Sequence, residues 1–234
     1  MSFRNFFILL FLLGFSGFPV FPQIQERTID SMKVLIGKSS GKVKIDEMNQ
    51  LGRLYKVQDA QKRIDIGMEA LAYAQKLNYK KGIAEAHTNI GRGYYWTYKP
   101  DSSLLHLQKA YALVSNSDNI RLIAEILMYQ GDSQERKANF RLANEIHHRA
   151  LEIYKTLKDS MFWAESANSI GLNHWRLGEY DESEKYFNIY LDLSRKTNHL
   201  AGIGDALNNL GILKWNRGQY FDALVLYLES LKTR

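Results

Sequence analysis

Gly37-Lys38-Ser39 carries the last residues of a phosphate-binding loop, in which backbone N–H groups and a Lys would hold phosphate oxygens. The full pattern needs a Gly at position 32, which is Met32. Gly91-Arg92-Gly93 offers two glycines of a dinucleotide-binding turn and lacks the third. Histidines stand at 87, 106, 147, 148, 174 and 199. His147 and His148 are adjacent, so on a helix they point about 100° apart and do not easily share a metal. No HExxH stretch occurs. There is no Cys for a thiolate nucleophile, a zinc or iron–sulfur site, a disulfide or an N-terminal lipid. Asp181, Glu182 and Glu184 stand beside Lys185 as on a solvated helix face. No catalytic set emerges. The chain reads as a non-enzyme, with no metal and no cofactor expected.

What has to be positioned is then a binding surface, and composition says what builds it. The 234 residues are 45% hydrophobic and 24% charged, an ordinary globular balance. A mean hydropathy of -0.34 excludes a polytopic membrane protein. Only 3 Pro and 16 Gly favour long helices over a turn-rich β-fold. The formal charge of +6 raises the question of nucleic acid. The basic clusters Lys62-Arg63, Lys80-Lys81 and Arg136-Lys137 with Arg141 are scattered, however, and interleaved with Asp59, Asp65, Glu85 and Glu135. A nucleic-acid footprint would be one continuous stripe, so nucleic acid is not an expected partner.

The first residues read as an address. Arg4 is the only charge before Glu26, and Phe6 to Phe15 reads FFILLFLLGF. Small residues Gly14, Ser16 and Gly17 follow, then Pro19 and Pro22. A basic start, an apolar run and small residues make a secretory signal over 1–22, with cleavage near Ser16. The alternative is a retained anchor, although a spanning helix wants ~20 apolar residues. An exported, periplasmic or extracellular location is expected.

The rest of the chain repeats. Five segments align on Gly52, Gly91, Gly131, Gly171 and Gly211, spaced 39, 40, 40 and 40. A small or short residue stands twelve after four of these glycines (Ser103, Ala143, Ser183 and Ala223; Ile64 departs). This is the logic of a helical hairpin. Gly lies where two helices approach most closely, and the small residue lies across the contact. Turns are marked by Gly178-Glu-Tyr, Gly218-Gln-Tyr and Lys99-Pro100-Asp101. Residues 23–44 form no full unit and read as a capping helix and loop, with the array over 45–234.

The units NSIGLNHWRLGEYDESEKYF and NNLGILKWNRGQYFDALVLY resemble the tetratricopeptide repeat. The resemblance extends over about 45–234 in five in-phase copies. The period is longer than the usual ~34 residues. It is similar to the 40-residue type of kinesin light chain and of bacterial peptide-responsive regulators, and to ectodomains that precede kinase, cyclase or DNA-binding modules. The resemblance implies an all-α, right-handed superhelical solenoid of five hairpins. Its first helices would line a concave groove that takes a peptide or protein segment.

On the family's pattern, counted from seven residues before each Gly, groove-facing positions are the second, fifth, ninth, twelfth and thirteenth. The second is acidic throughout: Asp46, Glu85, Glu125, Glu165 and Asp205. The fifth includes Asn49, Asn168 and Asn208, and the ninth reads Arg53, Arg92, Asp132, Leu172 and Ile212. The last two include Tyr95, Trp96, Trp175 and Trp215. Asn can both donate to and accept from an extended peptide backbone, and aromatics anchor binding. The expected peptide-binding residues are therefore Asn49, Arg92, Tyr95, Trp96, Asn168, Trp175, Asn208 and Trp215. A clamp for a C-terminal carboxylate is not expected. The fifth position is never Lys, the ninth is never Asn, and the acidic row would repel such a group.

The sequence stops 23 residues after Gly211, and Leu224, Leu228 and Leu231 form a stripe that would cover a further unit. This favours a fragment of a longer signalling protein, with a membrane tether supplied by downstream sequence as one option. The other reading is a freestanding secreted scaffold that self-associates through its last helix.

Overall fold

The computed structural model describes residues 20–55 and 57–233. Residues 1–19 of the expected signal lie outside them, while Val20 to Pro22 begin the first helix. Among the described residues there are eleven α-helices and no strand. They are α1 (Val20–Lys38), α2 (Gly41–Leu54), α3 (Ala60–Lys76), α4 (Lys80–Trp96), α5 (Pro100–Val114), α6 (Ile120–Arg136), α7 (Phe140–Thr156), α8 (Ser160–Arg176), α9 (Tyr180–Lys196), α10 (Leu200–Asn216) and α11 (Tyr220–Thr233). No described helix is long and apolar enough to cross a membrane. α1 runs through Gly37 to Lys38, and α2 starts at Gly41. The break expected over Gly37 to Gly41 is thus only Ser39 and Ser40, and residues 41–44, expected in the loop, are helical.

Each helix packs on its neighbours in sequence. The inner helices also touch the inner helix one unit on: α2 on α4, α4 on α6 and α6 on α8. The result is a solenoid of five hairpins in which most inner and outer helices are 17 residues long, which accounts for the long period. Turns recur about every twenty residues, and from α3 onwards all but the α5–α6 turn close on a residue with positive φ. Gly178 and Gly218 supply this without strain, but Asn78, Tyr98, Ala138, Lys158 and Asn198 do the same job with a Cβ. α5 starts with Pro100, whose missing N–H costs nothing there. Asp159 and Asn119 accept from the backbone N–H groups of Phe162 and Leu122 at the starts of α8 and α6.

The anchor glycines sit at the hairpin contacts, against the side chain sixteen residues on. A Cβ at Gly91 would meet Leu107, at Gly131 His147, at Gly171 the Phe187 ring at 2.7 Å, and at Gly211 Tyr227. The small residue twelve further on lies in the same interface; Ser183 Oγ donates to the Gly171 carbonyl at 2.8 Å. Gly52 departs from this reading. Its open face meets the Asn89 side chain of the next unit, not its own hairpin partner. His87 is buried beside His106, their Nδ1 atoms 3.0 Å apart. Burial, His106 and Lys109 lower the His87 pKa to about 4, so it packs as a neutral imidazole.

Candidate functional site

The inner helices carry the acidic row and the ninth positions on one face, and the solenoid sets the ninth of each unit against the second of the next. Arg53 Nη2 lies 3.6 Å from Glu85 Oε1, and Arg92 Nη1 donates to Glu125 Oε1 at 2.5 Å. The Arg92 guanidinium also lies over the Tyr129 ring, 4.8 Å from its centre. Both partners of this second rung are mostly buried. Tyr79 Oη donates to Asp46 at the start of the row.

The third rung breaks the rule. The ninth position is Asp132, and it stands before Glu165. Burial pushes the Asp132 carboxyl up to about 7, and Glu135 and Glu165 add to the rise while His147 and Arg136 oppose it. Burial also holds the Glu165 carboxyl above the usual range; His199 opposes that rise and Asp159 adds to it. Both line a cavity of about 600 Å³ between α4, α6, α7 and α8. Aromatic groups wall it. Tyr95 meets Trp96 edge-on at 4.7 Å and Tyr129 at 5.7 Å, and Tyr154 stacks on Phe162 at 5.1 Å. Arg136 lies 4.0 Å from the centre of the Tyr95 ring, on α4's last turn.

Of the expected binding residues, Arg92, Tyr95, Trp96 and Asn168 meet in this cavity. Asn168 Oδ1 is engaged by Asn209 Nδ2 at 2.9 Å, which ties two inner helices. Asn49 is elsewhere and buried. Its Nδ2 donates to the Gly82 carbonyl at 3.1 Å, and its own carbonyl accepts from Asn89. Trp175 packs against the core of the last two units. Asn208 is half-buried further along the same face. Trp215 is 56% exposed and stands edge-on to Tyr220 at 4.8 Å, beyond the cavity.

Arg121, Tyr129, Tyr154 and Phe162 line the cavity although no repeat position pointed to them. Phe162 belongs to the first turn of α8 and Tyr154 to an outer helix, both outside the five groove positions. A signal was available for Tyr129, which lies four residues after Glu125 and three before Asp132 on the same helical face.

Asp132, Glu135 and His147 bring three candidate metal ligands within 4.8 Å. Glu135 is already occupied by His147 Nε2 at 2.9 Å, Asn173 Nδ2 at 3.0 Å and Arg176 Nη1 at 3.4 Å. The cluster therefore works as a hydrogen-bonded tie between the third and fourth units. His148 turns the other way, onto Tyr186.

Residues 160–234 match the family model of the tetratricopeptide repeat. No curated protein matches the sequence. The structure is similar to BtubC from P. vanneervenii, at 15% identity over 91% of this chain and 89% of that one, with a TM-score of 0.75. It is similar to a Rap protein complexed with competence and sporulation factor, at 17% identity over 89% of this chain and 58% of that one, with a TM-score of 0.73. It also resembles a signal transduction ATPase with a tetratricopeptide repeat sensor from Pyrococcus horikoshii, at 13% identity over 83% of this chain and 30% of that one, with a TM-score of 0.70. At these identities the likeness is one of fold. The chain is a tetratricopeptide-like solenoid, an architecture consistent with a protein-binding module.

Proposed function

We propose that this chain is a non-catalytic module that binds a peptide or protein segment in its concave groove, exported from the cytoplasm and acting as the sensory part of a longer signalling protein. The observation that carries the reading is the cavity of about 600 Å³ between α4, α6, α7 and α8, walled by aromatic groups from three successive units. Such a site suits an extended segment with anchoring side chains. The likeness to a Rap protein complexed with competence and sporulation factor supports it by analogy of fold. Binding would transmit a signal only by favouring one curvature of the solenoid over another.

The test is to pan a displayed peptide library on the purified chain. A saturable ligand is expected, weakened about tenfold or more by Trp96→Ala. Absence of any saturable ligand would remove the reading. The address is tested separately, by N-terminal sequencing of the protein recovered outside the cytoplasm. A start near residue 17 is expected, and recovery from the cytoplasm alone contradicts export.

A second reading rests on α11. Phe221, Leu224, Val225, Leu228 and Leu231 are all exposed along it. This is the surface a scaffold would use to self-associate. Sedimentation should then show a concentration-dependent dimer that Leu228→Asp abolishes, while a monomer at every concentration counts against it.

A further inference from the structure

If the groove is a peptide site, its third rung also selects which peptide. The cavity's charges are unevenly committed. Its two cations already have partners: Arg92 is held by Glu125, and Arg121 Nη1 donates to Asp159 at 2.5 Å. Its remaining acids have no such cation. Asp132 sits where the first two units carry Arg, and Glu165 makes no ion pair among the described residues. Asp132 lies 3.6 Å from His147 Nε2, which it shares with Glu135, and Arg136, whose guanidinium lies over the Tyr95 and Tyr98 rings, also favours its charged form. The walls beside these carboxylates are rings, with Trp96 and Phe162 presenting apolar surface in the same cavity. A concave site with unneutralised carboxylates and aromatic walls complements a group that is cationic, planar or compact, and carried on an apolar stem.

We infer that the cavity seats a basic side chain of the bound segment, an Arg guanidinium or a Lys ammonium, between Asp132 and Glu165 and against the aromatic wall. This rests on the peptide reading of the groove and narrows the ligand to a segment with a basic residue at its anchoring position. The bound cation supplies the positive charge that Arg53 and Arg92 supply at the first two rungs. Acidic segments are excluded for the same reason.

The experiment uses the full chain at pH 8 and two matched pentapeptides, one with a central Arg and one with citrulline, its uncharged near-isostere. Calorimetric titration should give the Arg peptide an affinity about tenfold or more above that of the citrulline peptide. Glu165→Gln and Asp132→Asn should each erase most of that preference. Glu182→Gln removes one negative charge from an exposed outer helix and should leave the preference intact. Equal affinity for the two peptides overturns the inference. So does an equal loss in Glu182→Gln, which would mark a diffuse charge effect. Preference for a neutral or acidic peptide overturns it while leaving the groove as a peptide site. Failure of every peptide, whatever its charge, removes the peptide reading itself.

Discussion

The first two rungs between inner helices and the third are built by the same repeat at nearly the same spacing, yet they treat the acidic row in opposite ways. At Arg53–Glu85 and Arg92–Glu125 the chain neutralises its own carboxylate. At Asp132 and Glu165 it sets acid before acid, in a cavity that keeps the Asp132 pKa near 7. A closed rung stabilises the solenoid, because a half-buried carboxylate has its partner. An open rung costs stability and offers a charged cavity. The contrast follows from the residue at the ninth position, Arg at the first two rungs and Asp at the third, and from the burial of that position.

The contrast can be broken at the closed rung first. Arg92→Ala strands Glu125 half-buried and removes the contact with Tyr129. A loss of about 2–4 kcal/mol is expected in chemical denaturation, since removing one partner of a buried pair leaves the other uncompensated. A change below about 0.5 kcal/mol would mean that the rung does not hold the units together. The open rung can be closed instead. Asp132→Arg places Arg at the same 33-residue spacing from Glu165 that Arg92 has from Glu125. It should raise stability by about 1 kcal/mol and abolish binding of a basic peptide.

Titration sharpens the contrast further. Between about pH 4 and 7 the folded chain holds the Asp132 proton that the unfolded chain has lost. Stability therefore falls as pH rises through that window, by about 1–2 kcal/mol. Asp132→Asn should flatten this part of the profile in denaturation midpoints. An unchanged profile would place the titration elsewhere. The smallest effect belongs to Arg53→Ala. Arg53 is 42% exposed, so its pairing with Glu85 contributes less than about 1 kcal/mol.

Much of this was legible in the residues. The five anchor glycines gave the hairpin period, because a missing Cβ is needed wherever two helices meet a bulky side chain at the distances seen at Gly131, Gly171 and Gly211. Both rows of the rungs were visible as residue types. Their pairing was not, because it joins residues 32 or 33 apart on different helices and depends on how the units stack. Asn49 shows the limit from another side. An Asn at a groove position can serve a ligand or a neighbouring unit, and only burial against Gly82 decides for the neighbour. Tyr154 and Phe162 were missed because the stacking of units brings an outer helix and a first turn to the cavity wall, which a linear count of inner-helix positions does not contain.

The most direct measurement compares Glu125→Gln with Asp132→Asn in chemical denaturation at pH 8. Each replaces one carboxylate by an amide on the same helix, seven residues apart. Glu125→Gln should destabilise and Asp132→Asn should stabilise, each by about 1 kcal/mol or more. Shifts of the same sign would contradict the division of the groove into a closed part and an open one.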